Sequence, residues 1–385
     1  MVKRTLVSAF RPLAGLRVSL ADSATQTRHF SASAVRGLSA VFAETESPEL
    51  NEALTKVQEK IILPAYLPPT QRELVFDPKK STFIQQNPVI IELDGLEHKF
   101  STIDRFNEVP NSKKAFHEVV DLMKTKEDWD NIGTLLAGYK KAGIRLHRDQ
   151  YARMIRQAGL AGQPYNIIEC AKQAQKTGLY LKHKDWVVIL VTHINEKIVK
   201  PNGEGNEALH ALKWNMLVWD LLQRHIQGFV TPARQYHLSP DIRGLFLFAQ
   251  ASAIQAQQAA EAPAEELTQA LRDNVQFIIS NWGRKGLDGL WKLRFLHQIN
   301  PRATTSSRGH NGKLSPNYYI WMIAQNIRGM ELAQEIIGQE AKGLDPIKQA
   351  LEQHLRDFIQ KDERYNPGWA TTYEETTGRK PNWSK

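Results

Sequence analysis

Phe116, Tyr151 and Trp186 stand 35 residues apart, and each opens a stretch of amphipathic helical pattern. The stretches are Phe116-His117-Glu118-Val119-Val120, Tyr151-Ala152-Arg153-Met154-Ile155 and Trp186-Val187-Val188-Ile189-Leu190. The segments that follow superpose at the same step, Ile132 onto Ile167, Leu135 onto Cys170 and Gly143 onto Gly178. Their ends match most closely: Lys141-Ala142-Gly143-Ile144-Arg145-Leu146 parallels Lys176-Thr177-Gly178-Leu179-Tyr180-Leu181. Glycine accepts the left-handed conformation that ends a helix, and lysine suits the negative end of the helix dipole. Each unit is therefore helix, turn, helix, glycine stop. One such hairpin cannot bury its own apolar face, so neighbouring units must stack.

The expected fold class is all-α: helix-turn-helix repeats of about 35 residues forming a short solenoid over residues 112–200, with a divergent helical C-terminal half. Past Lys200, Pro201-Asn202-Gly203-Glu204-Gly205-Asn206 predicts a loop, and the period fades. Region 201–361 predicts helices from Glu207 and at about 241–260, 263–281, 284–299, 317–340 and 343–361, and 362–385 is a turn-rich tail. Ahead of the repeats, 38–111 predicts an irregular extension with a short helix over Pro48–Ile62. A hairpin over 89–100 should turn at Asp94-Gly95. This extension has few apolar residues for a core of its own, so it should wrap on the body or dock on a partner.

Charge is distributed unevenly. The formal net charge is +9, yet six cations and a single acid, Asp22, lie in the first forty residues. Those residues are rich in Arg and Ser, and no glutamate precedes Glu44, the composition of a mitochondrial import signal. Arg28-His29-Phe30-Ser31-Ala32-Ser33 resembles a processing-site pattern, and 1–37 is assigned as the transit peptide of a matrix protein. The rest of the chain is only mildly basic, compatible with RNA or acidic partners without demanding either. No apolar run is long enough for a transmembrane segment, and nothing points to DNA.

The unit length and layout over Ser112 to Lys200 resemble those of the pentatricopeptide repeat family. The resemblance implies work in organellar gene expression, by loose RNA binding or as a component associated with the mitochondrial ribosome. That family pairs a polar residue just after the opening aromatic with the last residue of the unit to read one base. By position the pairs here are His117 with His147 and Ala152 with Lys182, and Val187 stands at the third site. Neither pair supplies the small polar residues the family uses, so sequence-independent contact is the expectation.

Phosphate contacts need point charges, and two clusters at the unit ends supply them: Lys140, Lys141, Arg145 and Arg148, then Lys172, Lys176, Lys182 and Lys184. Arg302, Arg308 and Lys313 in the polar loop after Asn300 are further RNA candidates. Trp214, Trp219, Trp282, Trp291 and Trp321 have core spacing, whereas Trp369 and Trp383 lie in the tail and are candidates for docking on a protein partner. The competing expectation is a protein scaffold, such as an assembly factor for a respiratory complex. There is no phosphate loop, no dinucleotide fingerprint and no His-Glu-x-x-His. The single cysteine, Cys170, falls at a core position. No enzyme, cofactor or metal site is expected.

Residues 1–37 fused to a cytosolic reporter are expected to carry it into mitochondria. Fractionation checks this, and a reporter left in the cytosol contradicts the assignment.

Overall fold

The computed structural model describes residues 38–200, 206–224, 235–282, 294–302, 312–361 and 365–383. The expected import signal at 1–37, residues 201–205, Trp291 and most of the helix expected at 284–299 lie outside them.

Seventeen α-helices and one two-stranded sheet are seen among the described residues. The extension holds α1 (Pro48–Val57), α2 (Pro69–Val75), α3 (Ser81–Gln86) and the antiparallel strands β1 (Val89–Leu93) and β2 (Leu96–Phe100). The expected helix to Ile62 is present, its last turn widening to a π-turn over Gln58–Ile62. Contrary to expectation, the extension builds a small core of its own from Leu63, Leu67, Val75, Ile84, Val89, Phe100 and Ile103. Proline breaks scatter these residues through the sequence, which hides a cluster that only the folded chain assembles.

The hairpins then follow in chain order: α4 (Ser112–Leu122) with α5 (Lys126–Asp130) and α6 (Ile132–Lys141), α7 (Arg148–Leu160) with α8 (Pro164–Lys172) and α9 (Ala174–Thr177), and α10 (Lys184–Val199) with α11 (Glu207–Gln223). Gly143 and Gly178 end the first two at φ +73° and +76°, as the sequence requires. The equivalent aromatics Tyr151 and Trp186 meet with ring centroids 5.1 Å apart. Polar contacts join the first two hairpins at nearly the same step: Arg153 donates to both oxygens of Asp121, and Asn166 Nδ2 donates to Asp130 at 2.8 Å.

The row does not stop where the period fades. α12 (Pro240–Ala259) packs on α10, and α13 (Glu265–Trp282) folds back on α12. The short α14 (Arg294–His297) touches α12, α15 (Pro316–Ile337) lies against α12, and α16 (Asp345–Gln360) folds back on α15. α12 and α15 are buried nearly all round, which is why their sequences show no amphipathic stripe. Small residues let them approach: a Cβ at Gly329 would stand 2.7 Å from the backbone nitrogen of Phe248.

Amides fix the register of this junction. Asn195 Nδ2 donates to Leu245 O and to Gln325 Oε1, both at 3.0 Å. Asn215 Nδ2 donates to Asn195 Oδ1 at 2.7 Å, and Gln325 Nε2 to Thr192 O at 3.1 Å. All three amide residues are fully buried, where each bond matters because leaving a partner unmade carries the whole desolvation penalty.

The tail differs from expectation. It forms α17 (Gly368–Thr377), which packs on α15. No described helix is long and apolar enough to cross a membrane.

Gly329→Ala gains about 1 kcal/mol of helix propensity but forces backbone apart, so a net loss of about 1–3 kcal/mol is expected in denaturant unfolding. An unchanged or higher midpoint contradicts the close α12–α15 approach.

Candidate nucleic-acid interface

The first helices of successive hairpins begin at Ser112, Arg148 and Lys184, a step of 36. The chain enters the second and third through a short loop after the glycine stops Gly143 and Gly178, so these loops share one edge. On that edge Lys140, Lys141, Arg145, Lys176 and Lys182 are all exposed. Lys140 Nζ donates to Gln175 O of the next unit, stitching the two second helices together at their ends. The Lys141 ammonium lies 5.1 Å from the centre of the Tyr66 ring. Lys113, which the sequence did not single out, joins them, its Nζ 2.5 Å from Nε2 of His147.

Other predicted contacts are spent inside the protein. Arg148 pairs with Asp185 at the start of α10. Lys184 is only 5 % exposed, its Nζ 3.0 Å from Asp241 Oδ1 and 2.6 Å from Phe295 O. A cation so enclosed cannot meet a phosphate, so Lys184 leaves the candidate set and Arg148 is largely withdrawn from it. Lys172 is half-buried, held by Glu169 at 2.7 Å and lying over the Tyr165 ring at 5.6 Å. Glu169, accepting from the Tyr165 hydroxyl, pushes that phenol up to about 12. Arg302 donates to Phe358 O and lies 3.9 Å from its ring centre, Lys313 is half-buried, and Arg308 lies outside the described residues.

The tail tryptophans are corrected as well. Trp369 is 4 % exposed and donates from Nε1 to Asn317 Oδ1 at 2.6 Å. Trp383 is 8 % exposed and meets Tyr373 edge-on at 4.8 Å. Both belong to the core that α17 closes, so neither is free to dock on a partner.

Base-reading positions fare no better. Val187 is fully buried, and His117 is half-buried with Nδ1 unpartnered among the described residues. Burial pushes the Cys170 thiol up to about 12, which leaves it unreactive at neutral pH.

Against this geometry, residues 28–380 match the family described as mitochondrial ribosomal protein mS27. The chain belongs to the mS27 family. The small ribosomal subunit protein mS27 of Neurospora crassa is 32 % identical over 182 residues, 47 % of this chain and 46 % of that relative. The aligned stretch thus spans about half the length of the relative.

In this mS27-family chain the cations divide into two sets. Those at the first helical position, Arg148 and Lys184, bolt one first helix to an acid at the second position of the next, Asp185 or Asp241. Those at the helix ends and in the loops that follow, Lys140, Lys141, Arg145, Lys176 and Lys182, stay exposed. The sequence does carry a signal for the bolts, a cation followed by an acid at each helix start in Arg148-Asp149 and Lys184-Asp185, and an acid again in Pro240-Asp241.

Lys184→Ala leaves Asp241 buried without its cation, and a loss of about 3–5 kcal/mol is expected on unfolding. Lys176→Ala, on the exposed edge, should change stability by less than about 0.5 kcal/mol. Equal effects in the two variants contradict the division.

Proposed function

We propose that this chain is a component of the small subunit of the mitochondrial ribosome, working in the matrix and holding ribosomal RNA by its phosphates along the loop edge. The observation that carries the ribosomal reading is the family match over residues 28–380, nearly the whole chain. The name of the Neurospora crassa relative, a small ribosomal subunit protein, supports the same assignment.

The hairpins between Ser112 and Lys200 are degenerate pentatricopeptide-like units in a short solenoid. The 35-residue spacing of their aromatics, the glycine stops at Gly143 and Gly178 and the contacts between equivalent positions support this. The RNA contacts are Lys140, Lys141, Arg145, Lys176 and Lys182, with Lys113 added. They bind as point charges on a backbone, and Ala152 and the fully buried Val187 at two of the base-reading positions favour a role without sequence selection. The reading assigns the chain no catalytic step.

Sedimentation of the tagged protein from mitochondrial extract, with and without RNase, tests the proposal. The protein is expected at the size of the small subunit, shifting on RNase treatment. Changing Lys176 and Lys182 together to Glu, neither of which makes a side-chain hydrogen bond or ion pair among the described residues, should release it from that fraction with its thermal midpoint kept. Migration alone or with a respiratory complex, insensitive to RNase, contradicts the ribosomal role and favours a protein scaffold.

A further inference from the structure

One exposed surface is unlike the lysine-lined edge. The β1–β2 hairpin turns through Asp94 and Gly95, both at positive φ (51° and 79°), the conformation that matches the twist of the flanking strands. Its inner face is anchored: Val89 and Phe100, paired across the strands, sit in the small core of the extension. The turn is anchored too, since Asp94 Oδ2 accepts from Ser39 Oγ at 2.7 Å and from Ala40 N at 2.6 Å. The hairpin is therefore a fixed platform.

The outward face carries two unfavourable features. Ile90, opposite Lys99, is 48 % exposed. Beside this pair Glu92 stands directly opposite Glu97, and both are exposed. Facing side chains of one antiparallel pair have Cβ atoms about 5 Å apart, and like charges there repel. Among the described residues neither glutamate has an ion pair or a side-chain hydrogen bond. Lysine at either position would convert the repulsion into attraction, so the pair works against the stability of the free hairpin. The hairpin as a whole holds three acids, Glu92, Asp94 and Glu97, against Lys99 alone, although the whole chain is basic.

From this we infer that the outward face of the hairpin docks a basic protein segment, with an arginine or lysine of the partner between Glu92 and Glu97 and an apolar side chain on Ile90. A nucleic acid would meet the wrong charge. A cation brought between the two carboxylates would remove their repulsion and gain two partners, while contact with Ile90 would take its surface from water. The inference rests on the hairpin alone and stands whether or not the loop edge holds RNA.

The test places a photo-crosslinking amino acid at Ile90 of the full chain in living cells, and sequences the crosslinked peptide. Crosslinks should fall on a protein segment with Arg or Lys within a few residues of the linked position. Glu92→Lys with Glu97→Lys should abolish them, and single Glu97→Lys should raise the thermal midpoint of the purified chain. That midpoint separates lost docking from lost folding. Crosslinks to nucleotides, to acidic or neutral peptides or to nothing overturn the inference. So does persistence of the crosslink in the charge-reversed chain, or a lower midpoint for Glu97→Lys.

Discussion

The buried pair between Lys184 and Asp241 joins the part of the chain whose sequence repeats to the part whose sequence does not. A lysine at the first position of a helix stands against the positive end of that helix's dipole. Here the carboxylate of Asp241 and the carbonyl of Phe295 hold the ammonium, and Asp241 also accepts from Ser239 Oγ at 2.5 Å. Such a pair adds little net stability over well-packed apolar residues, but half of it alone is costly. The pair ties the start of α10 to the start of α12 at a fixed point. The amides of Asn195, Asn215 and Gln325 then set the register of α10, α11, α12 and α15, and α15 with α17 encloses the tail tryptophans.

The same division explains why charge was the least legible property of the sequence. A lysine beside a helix start reads alike whether it faces water or an acid 57 residues away, as Lys184 faces Asp241. Lys140, Lys141 and Lys176 were placed correctly at helix ends because the glycine stop fixes where the helix ends, and local geometry then decides exposure. Turn chemistry was just as local, and the Asp94-Gly95 hairpin emerged where its dipeptide predicts. What could not be read were elements defined by distant partners. The small core of the extension, the continuation of the row through α12 and α15, and the burial of Trp369 against Asn317 all depend on residues far apart in the chain. α12 and α15 fall where the sequence predicts helices, at about 241–260 and 317–340, but being buried on nearly all sides they carry no amphipathic stripe to show what they pack against.

Two surfaces of opposite character follow from this fold. The loop edge gathers exposed lysines whose spacing comes from the stacking of the hairpins, and its proposed ligand is a phosphate backbone. The hairpin in the extension presents glutamates and an isoleucine, and its inferred ligand is a cationic protein segment. A subunit that holds both RNA and a basic protein neighbour would need such separation, since mixing the charges on one surface would weaken both contacts.

Membership of the mS27 family makes the decisive measurement a structural one. Cryo-electron microscopy of small mitochondrial ribosomal subunits isolated through this tagged chain would show what its loop edge touches. The result expected is density for the chain with Lys140, Lys141, Lys176 and Lys182 within roughly 4 Å of ribosomal RNA phosphates, the reach of an ion pair. Subunits lacking the chain, or a loop edge turned to protein or solvent, would contradict the proposed mode of RNA binding.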